Sequence, residues 1–373
     1  MSNKMTFSEL KYLQQRTQRV RSVLFALFSF SIVVGSASNA VAAEEMRVRV
    51  FEAYPDEIRL RIQERGNFLA GTPASDRNNL AVESVISFTS KWKAGQTLRI
   101  AFSGGDSALH KEIADIASEW IVTNRANLKF DFGFDATMQT YRLWTKNDRF
   151  YGAEVRVSFN HKGYWSCVGR DSVSPNIASP NEASLNLEGF PKYRPADWAA
   201  VVLHEFGHAI GFEHEHQHPA DGCDAEFRWE DDTGYVNTTN AMGQFIQDPN
   251  NLRPGIYTTL GGWPNNWDRQ KVDFNLKQLP NTSAYVLGKF DKTSIMMYSF
   301  DAWMFIKGAQ SSCYSEPNLE ISPYDEKGAA SVYPWRSPEV ARVNTERVRL
   351  ATMLSKSVTL PPKMIENYKT MSR

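Results

Sequence analysis

Five of the seven histidines in this 373-residue chain fall between His204 and His218, and they are not scattered there. The eleven residues His204-Glu205-Phe206-Gly207-His208-Ala209-Ile210-Gly211-Phe212-Glu213-His214 impose a local geometry. Residues four apart on a helix stand one above the other, so His204 and His208 can present two imidazole nitrogens to one cation. Asp197–Ile210 reads as the helix that carries them, entered through Pro195, with Asp197 favouring its positive end. Gly211 tolerates a positive φ that strains other residues. The chain can therefore stop the helix there and return His214 as a third ligand.

Three protein ligands with an open fourth position characterise catalytic zinc, whereas structural zinc is closed by four. Glu205 follows the first histidine and is not needed as a ligand, so it is free to handle the proton of a water activated at the metal. His216 and His218 read as exposed polar neighbours, since the three ligands are already supplied.

Along the chain, Glu44–Arg65 is charged and mixed, and Gly66–Asn79 has the Gly, Pro, Ser and Asn content of a linker. Thr97–Phe102 predicts a strand closed by Gly104 and Gly105, and Ser107–Asn124 a helix through Leu109, Ile113, Ile116, Ala117 and Trp120. Leu128–Phe134 and Ala153–Phe159 alternate as half-buried strands do. Beyond His214 the chain is polar to about Phe290, with short helices expected around Ala241–Gln247 and Trp267–Leu279. The fold class is α+β, a mixed sheet with a helix packed on it. The expected division is a signal at 1–43, an N-terminal segment that is a candidate propeptide at 44–90, a catalytic domain at 91–336 and an appended tail at 337–373.

The signal expectation rests on order. Lys4, Lys11, Arg16, Arg19 and Arg21 precede the apolar run Val23–Val34, and small residues follow to Ala42 and Ala43. About 12 apolar residues are short for a bilayer crossing, which needs about 20, so cleavage and export are favoured over an uncleaved anchor. Export permits disulfides among Cys167, Cys223 and Cys313. Cys223 with Cys313 is the preferred pair, and three free thiols are the alternative. With 42 basic and 42 acidic residues, no global field draws in nucleic acid or an anionic membrane.

The eleven-residue pattern H-E-x-x-H-x-x-G-x-x-H resembles that of metzincin zinc peptidases. Phe212 and Glu215 are similar to the astacin-like pattern G-F-x-H-E, and Ser294-Ile295-Met296-Met297-Tyr298 resembles the astacin Met-turn. The resemblance runs from about Trp92 to Trp335, where Ile321–Asp325 and Val332–Pro334 resemble the C-terminal helix region of such domains. It implies a twisted mixed sheet with an active-site helix, followed by a more irregular C-terminal subdomain. It also implies Met296 as a floor under the histidines and Tyr298 as a catalytic group that approaches the zinc or the oxyanion. By the same likeness Ala153–Phe159 is the edge strand to which a substrate chain adds, and Glu215 helps anchor a processed N-terminus. The chain departs from the pattern at His218–Gly222 and at Met297, and neither an F-x-G-D aspartate switch nor a cysteine switch stands before Trp92.

The function expected is that of a secreted zinc endopeptidase, extracellular or periplasmic, acting on protein or peptide substrates. It would have no nucleic-acid partner and no stable membrane association after signal cleavage. An amidase or peptidase of cell-wall peptides, and a binding protein on an inactive peptidase scaffold, are the alternatives. Retention of Glu205 with all three histidines argues against the last.

Overall fold

The computed structural model describes residues 50–70, 86–87, 90–219, 223–280, 285–286, 288–356 and 362–372. The expected signal at 1–43 lies outside the described residues. In chain order the structure comprises helix α1 (Asp56–Ala70), strand β1 (Ile86–Ser87), β2 (Thr97–Ser103), α2 (Ser107–Ala117), β3 (Lys129–Asp131), β4 (Val155–Ser158), β5 (Tyr164–Ser166) and β6 (Leu185–Leu187). Then follow α3 (Trp198–Ala209), α4 (Ile256–Gly261), α5 (Arg269–Leu276), β7 (Tyr285–Val286), α6 (Pro323–Val332), α7 (Ser337–Ser355) and α8 (Pro362–Met371). No described helix is long and apolar enough to cross a membrane.

The main sheet has the order β3-β2-β4-β6-β5, parallel except for β5, which runs antiparallel to β6 at one edge. The strand expected at the edge, Ala153–Phe159, is instead β4, in the interior between β2 and β6. Its alternation misleads because Arg156, which looks like a solvent residue, is buried. The Arg156 guanidinium donates to the backbone carbonyls of Glu182 and Ser172, each at 2.7 Å, so its burial is compensated by hydrogen bonds. The open edge is β5, whose three residues give too short a pattern to register as a strand.

Helix α2 forms where expected and ends earlier. Asp106 accepts from the Leu109 amide at 2.8 Å, and Leu109, Ile113, Ala114 and Ala117 turn inward. A short 3-10 turn, Ser118–Ile121, continues it and stops short of the expected end at Asn124. Helix α3 is buried nearly all round, with Val202, Leu203, Phe206 and Ala209 in the core between sheet and α2. Asp197 stands at its N-cap without a capping hydrogen bond from its side chain.

A second apolar cluster lies in the irregular half, where Phe227, Ile256, Leu260, Trp267, Val272 and Phe300 pack together. The bond Cys223–Cys313 ties this half, as the preferred pairing expected. Cys167 stays free and buried, and burial first of all pushes its thiol up to about 12, which makes it unreactive. Asp268 caps α5 by accepting from Lys271, within the span expected as helical. Residues 241–247 do not form the expected helix. Asn240 organises a turn there by accepting from the amides of Met242 and Gln244, as asparagine does in competition with helix.

Residues 337–373, expected as an appended tail, hold the paired helices α7 and α8. Val343 joins the main core, and Asn344 accepts from the Ala94 amide at 3.0 Å. Helix α8 closes on α7 through Leu354, Met364, Tyr368 and Met371.

Candidate metal centre

Helix α3 delivers His204 and His208 on one face, and the chain then turns at Gly211, whose φ is +110°. The Phe212 amide returns to the Gly207 carbonyl at 3.0 Å, closing the helix end, and His214 comes back beside the first two histidines. The Nε2 of His208 lies 3.2 Å from that of His204 and 3.1 Å from that of His214.

These separations are informative because of what the other ring nitrogens do. His204 Nδ1 meets the Ile295 carbonyl and His208 Nδ1 the Phe212 carbonyl, both at 2.7 Å. A carbonyl only accepts, so each Nδ1 carries a proton, and Nε2 is the nitrogen each ring offers to a metal when it is neutral. Burial first of all holds His208 well below the usual histidine range, against the pull of Glu52, so its ring stays neutral. Neutral rings at this spacing direct their Nε2 atoms at one shared point, as ligands of a single cation do. Two nitrogens bound tetrahedrally to zinc at about 2.0–2.1 Å stand about 3.3 Å apart, close to the spacing found. The donor set therefore fits zinc.

A residue that no motif marks, Glu52, lies against the three nitrogens. Glu52 Oε2 lies 3.0 Å from the Nε2 of both His204 and His214, and Oε1 lies 3.5 Å from His208. Glu52, His204, His208 and His214 form the group able to hold a metal ion. Phe51 anchors Glu52 by packing among Trp267, Tyr298 and Phe300, a burial worth about 1.5–3 kcal/mol for such a ring. The Phe51 amide also donates to Asn265 Oδ1 at 3.0 Å.

Glu205 is buried, and its Oε2 has no hydrogen-bond partner among the described residues. Burial, reinforced by the Glu52 charge, pushes its carboxyl well above the usual range. Tyr298 donates to Glu52 Oε2 at 3.1 Å, so its hydroxyl is directed at the fourth corner. Its ring centroid lies 4.3 Å from that of His214 and is stacked on His216 at 4.6 Å.

The turn Ser294–Tyr298 is the seam between the two cores. Met296 belongs to the sheet core and Tyr298 to the irregular one. Gly207 lets this turn approach, since a Cβ there would lie 2.4 Å from the Met296 sulfur. His216 and His218 are buried, contrary to expectation, and neither joins the metal group. Their Nε2 atoms instead meet the carbonyls of Asn275, in α5, at 2.9 Å and of Gly288 at 3.0 Å, while His216 Nδ1 has no partner among the described residues. Glu215 accepts from the Asp291 amide at 2.9 Å.

The chain is similar in fold to myroilysin. A solved structure of myroilysin matches with a TM-score of 0.50 at 25% identity, over 68% of this chain and 100% of that one. A crystal structure of myroilysin matches at 0.40 and 22%, over 77% of this chain and 100% of that one. High choriolytic enzyme 1, a hatching enzyme zinc-protease from Oryzias latipes, matches at 0.30 and 16%, over 70% and 96%. The last two are too distant to argue from. No family model and no curated protein matches the chain.

Proposed function

We propose that this protein is a secreted zinc endopeptidase whose N-terminal segment occupies its own active site. The observation that carries the reading is the convergence of three imidazole Nε2 atoms, that of His208 lying 3.1–3.2 Å from the other two, next to a buried Glu205 whose Oε2 has no partner among the described residues. The fold shared with myroilysin and the astacin-like sequence pattern support it.

His204, His208 and His214 hold the metal. Zinc, when bound, supplies Lewis acidity to a peptide carbonyl and brings a water to a pKa near about 7. Glu205 would hold a proton at Oε2, the oxygen left without a partner, and deliver it to the leaving amine. Tyr298 donates from its hydroxyl to the oxygen on which negative charge develops. The Glu52 carboxylate oxygens stand in for the attacking water and the substrate carbonyl oxygen, so a peptide carbonyl cannot reach the metal while that carboxylate is in place.

Metal analysis and proteolysis test this together. The purified protein should contain close to one equivalent of zinc and, in its active form, should hydrolyse casein. A chelator should abolish hydrolysis and added zinc restore it. Zinc-independent hydrolysis, or release of cell-wall peptides with casein left intact, would refute the endopeptidase reading.

A further inference from the structure

A cavity of about 290 Å³ opens directly beside His208 and His214. It is walled by Val168, Asp171, Glu213 and Tyr285, and α1 enters it with Arg65. The Arg65 guanidinium donates to Asp171 Oδ1, an oxygen that also accepts from Ser90 Oγ at 3.0 Å. Asp171 is 3% exposed, and its second oxygen, Oδ2, has no hydrogen-bond partner among the described residues. A guanidinium normally meets a carboxylate through two parallel hydrogen bonds, and Arg65 uses one oxygen only. The other cation lining the cavity, Lys277, is directed onto the Trp229 ring, 3.7 Å from its centroid.

The segment that carries Arg65 also runs over the part of the sheet a peptide would use. Tyr54 donates to the Ser166 carbonyl at 2.8 Å, on the open edge formed by β5. A stretch of chain that occupies the metal with Glu52, the sheet edge with Tyr54 and the adjoining cavity with Arg65 fills the positions of a bound peptide.

We infer that this cavity is a substrate subsite for a basic side chain, with Asp171 as the carboxylate that recognises an arginine or lysine beside the scissile bond. This rests on the peptidase reading above. Once α1 withdraws, Asp171 keeps Ser90 as a partner and presents Oδ2 together with the oxygen that Arg65 released. The walls of Val168 and Tyr285 suit the methylene stem of a long cationic side chain.

The test uses peptides that differ at one position, carrying Arg, Lys, Leu or Glu in turn around the cleaved bond, with the active form recovered after expression of the full chain. One position should favour Arg or Lys over Leu by about tenfold or more in kcat/KM, the scale of a desolvated charge pair. In Asp171→Asn the Arg-to-Leu ratio at that position should fall toward one. Should Asp171→Asn not fold, a second measurement uses the full chain with Arg65→Ala. Methylguanidinium should raise its melting temperature and should leave the parent, whose cavity is plugged, unchanged. Cleavage without basic preference, a ratio that survives Asp171→Asn, or an Arg65→Ala chain indifferent to methylguanidinium would overturn the subsite and leave the peptidase reading standing. Failure to cleave any peptide would remove both.

Discussion

Glu205 and Tyr298 both face the metal site, yet substitutions at the two should be felt differently. Glu205 donates nothing to the metal group, so Glu205→Gln should leave zinc content unchanged. It should lower kcat by about 10²–10⁴-fold, the usual cost of a lost acid–base group. Loss of zinc in parallel with activity would make Glu205 a ligand or a support. Tyr298→Phe keeps the stacking on His216 and removes only the hydroxyl now bonded to Glu52. A lost oxyanion donor costs about 2.7–4 kcal/mol, mainly in kcat, so a variant within about threefold of the parent would sink that role. His204 and His208 were legible because helical geometry alone brings i and i+4 together, and His214 because Gly211 lets the chain turn back. Glu52 was not, since it meets His204 across 152 residues and nothing in a charged N-terminal stretch marks one glutamate among several.

At the scale of elements, the site depends on a turn hung from α6. Asp325 accepts from Ser294 Oγ at 2.6 Å, from the Ile295 amide at 2.9 Å and from the Ser322 amide at 2.9 Å. Ser322 reciprocates by accepting from the Asp325 amide, which makes a capping box at the start of α6. The same carboxylate therefore fixes a helix start and the turn whose Ile295 carbonyl orients His204. Asp325→Ala strands three buried donors at about 1–3 kcal/mol each, so a loss of about 3 kcal/mol or more is expected in urea unfolding. A loss below about 1 kcal/mol would show that the turn stands without this support. The region was legible as a resemblance around Ile321–Asp325, and α3 as a periodic pattern. Strand β5 was not legible, because three residues carry no period, and Arg156 hid the burial of β4 behind an ordinary surface residue type.

Across the whole molecule, the family-like pattern reached from about Trp92 to Trp335, and composition alone placed the flanks, because their packing comes from contacts with distant parts of the chain. The C-terminal helices join the main core through Val343, and the N-terminal segment joins two other clusters. Phe51 packs in the irregular core, while Ile58 packs with Trp165, Cys167 and Ile177 under α1. Arg61 adds bonds to Glu182 and to the Ile177 carbonyl. These attachments do not involve the metal, so removing the Glu52 carboxylate should leave the segment docked while vacating the fourth corner. A short peptide needs little more than that corner, and the rate at which it is cut scales with the fraction of molecules whose site is open. The intact Glu52→Ala chain should therefore hydrolyse a short peptide at least about tenfold faster than the intact parent, with electrophoresis confirming that neither chain has been cut. Casein, which needs the whole cleft, should gain much less. Equal rates for variant and parent on the short peptide would show that the bulk of the segment blocks the site and that its carboxylate does not, leaving Glu52 no part in latency.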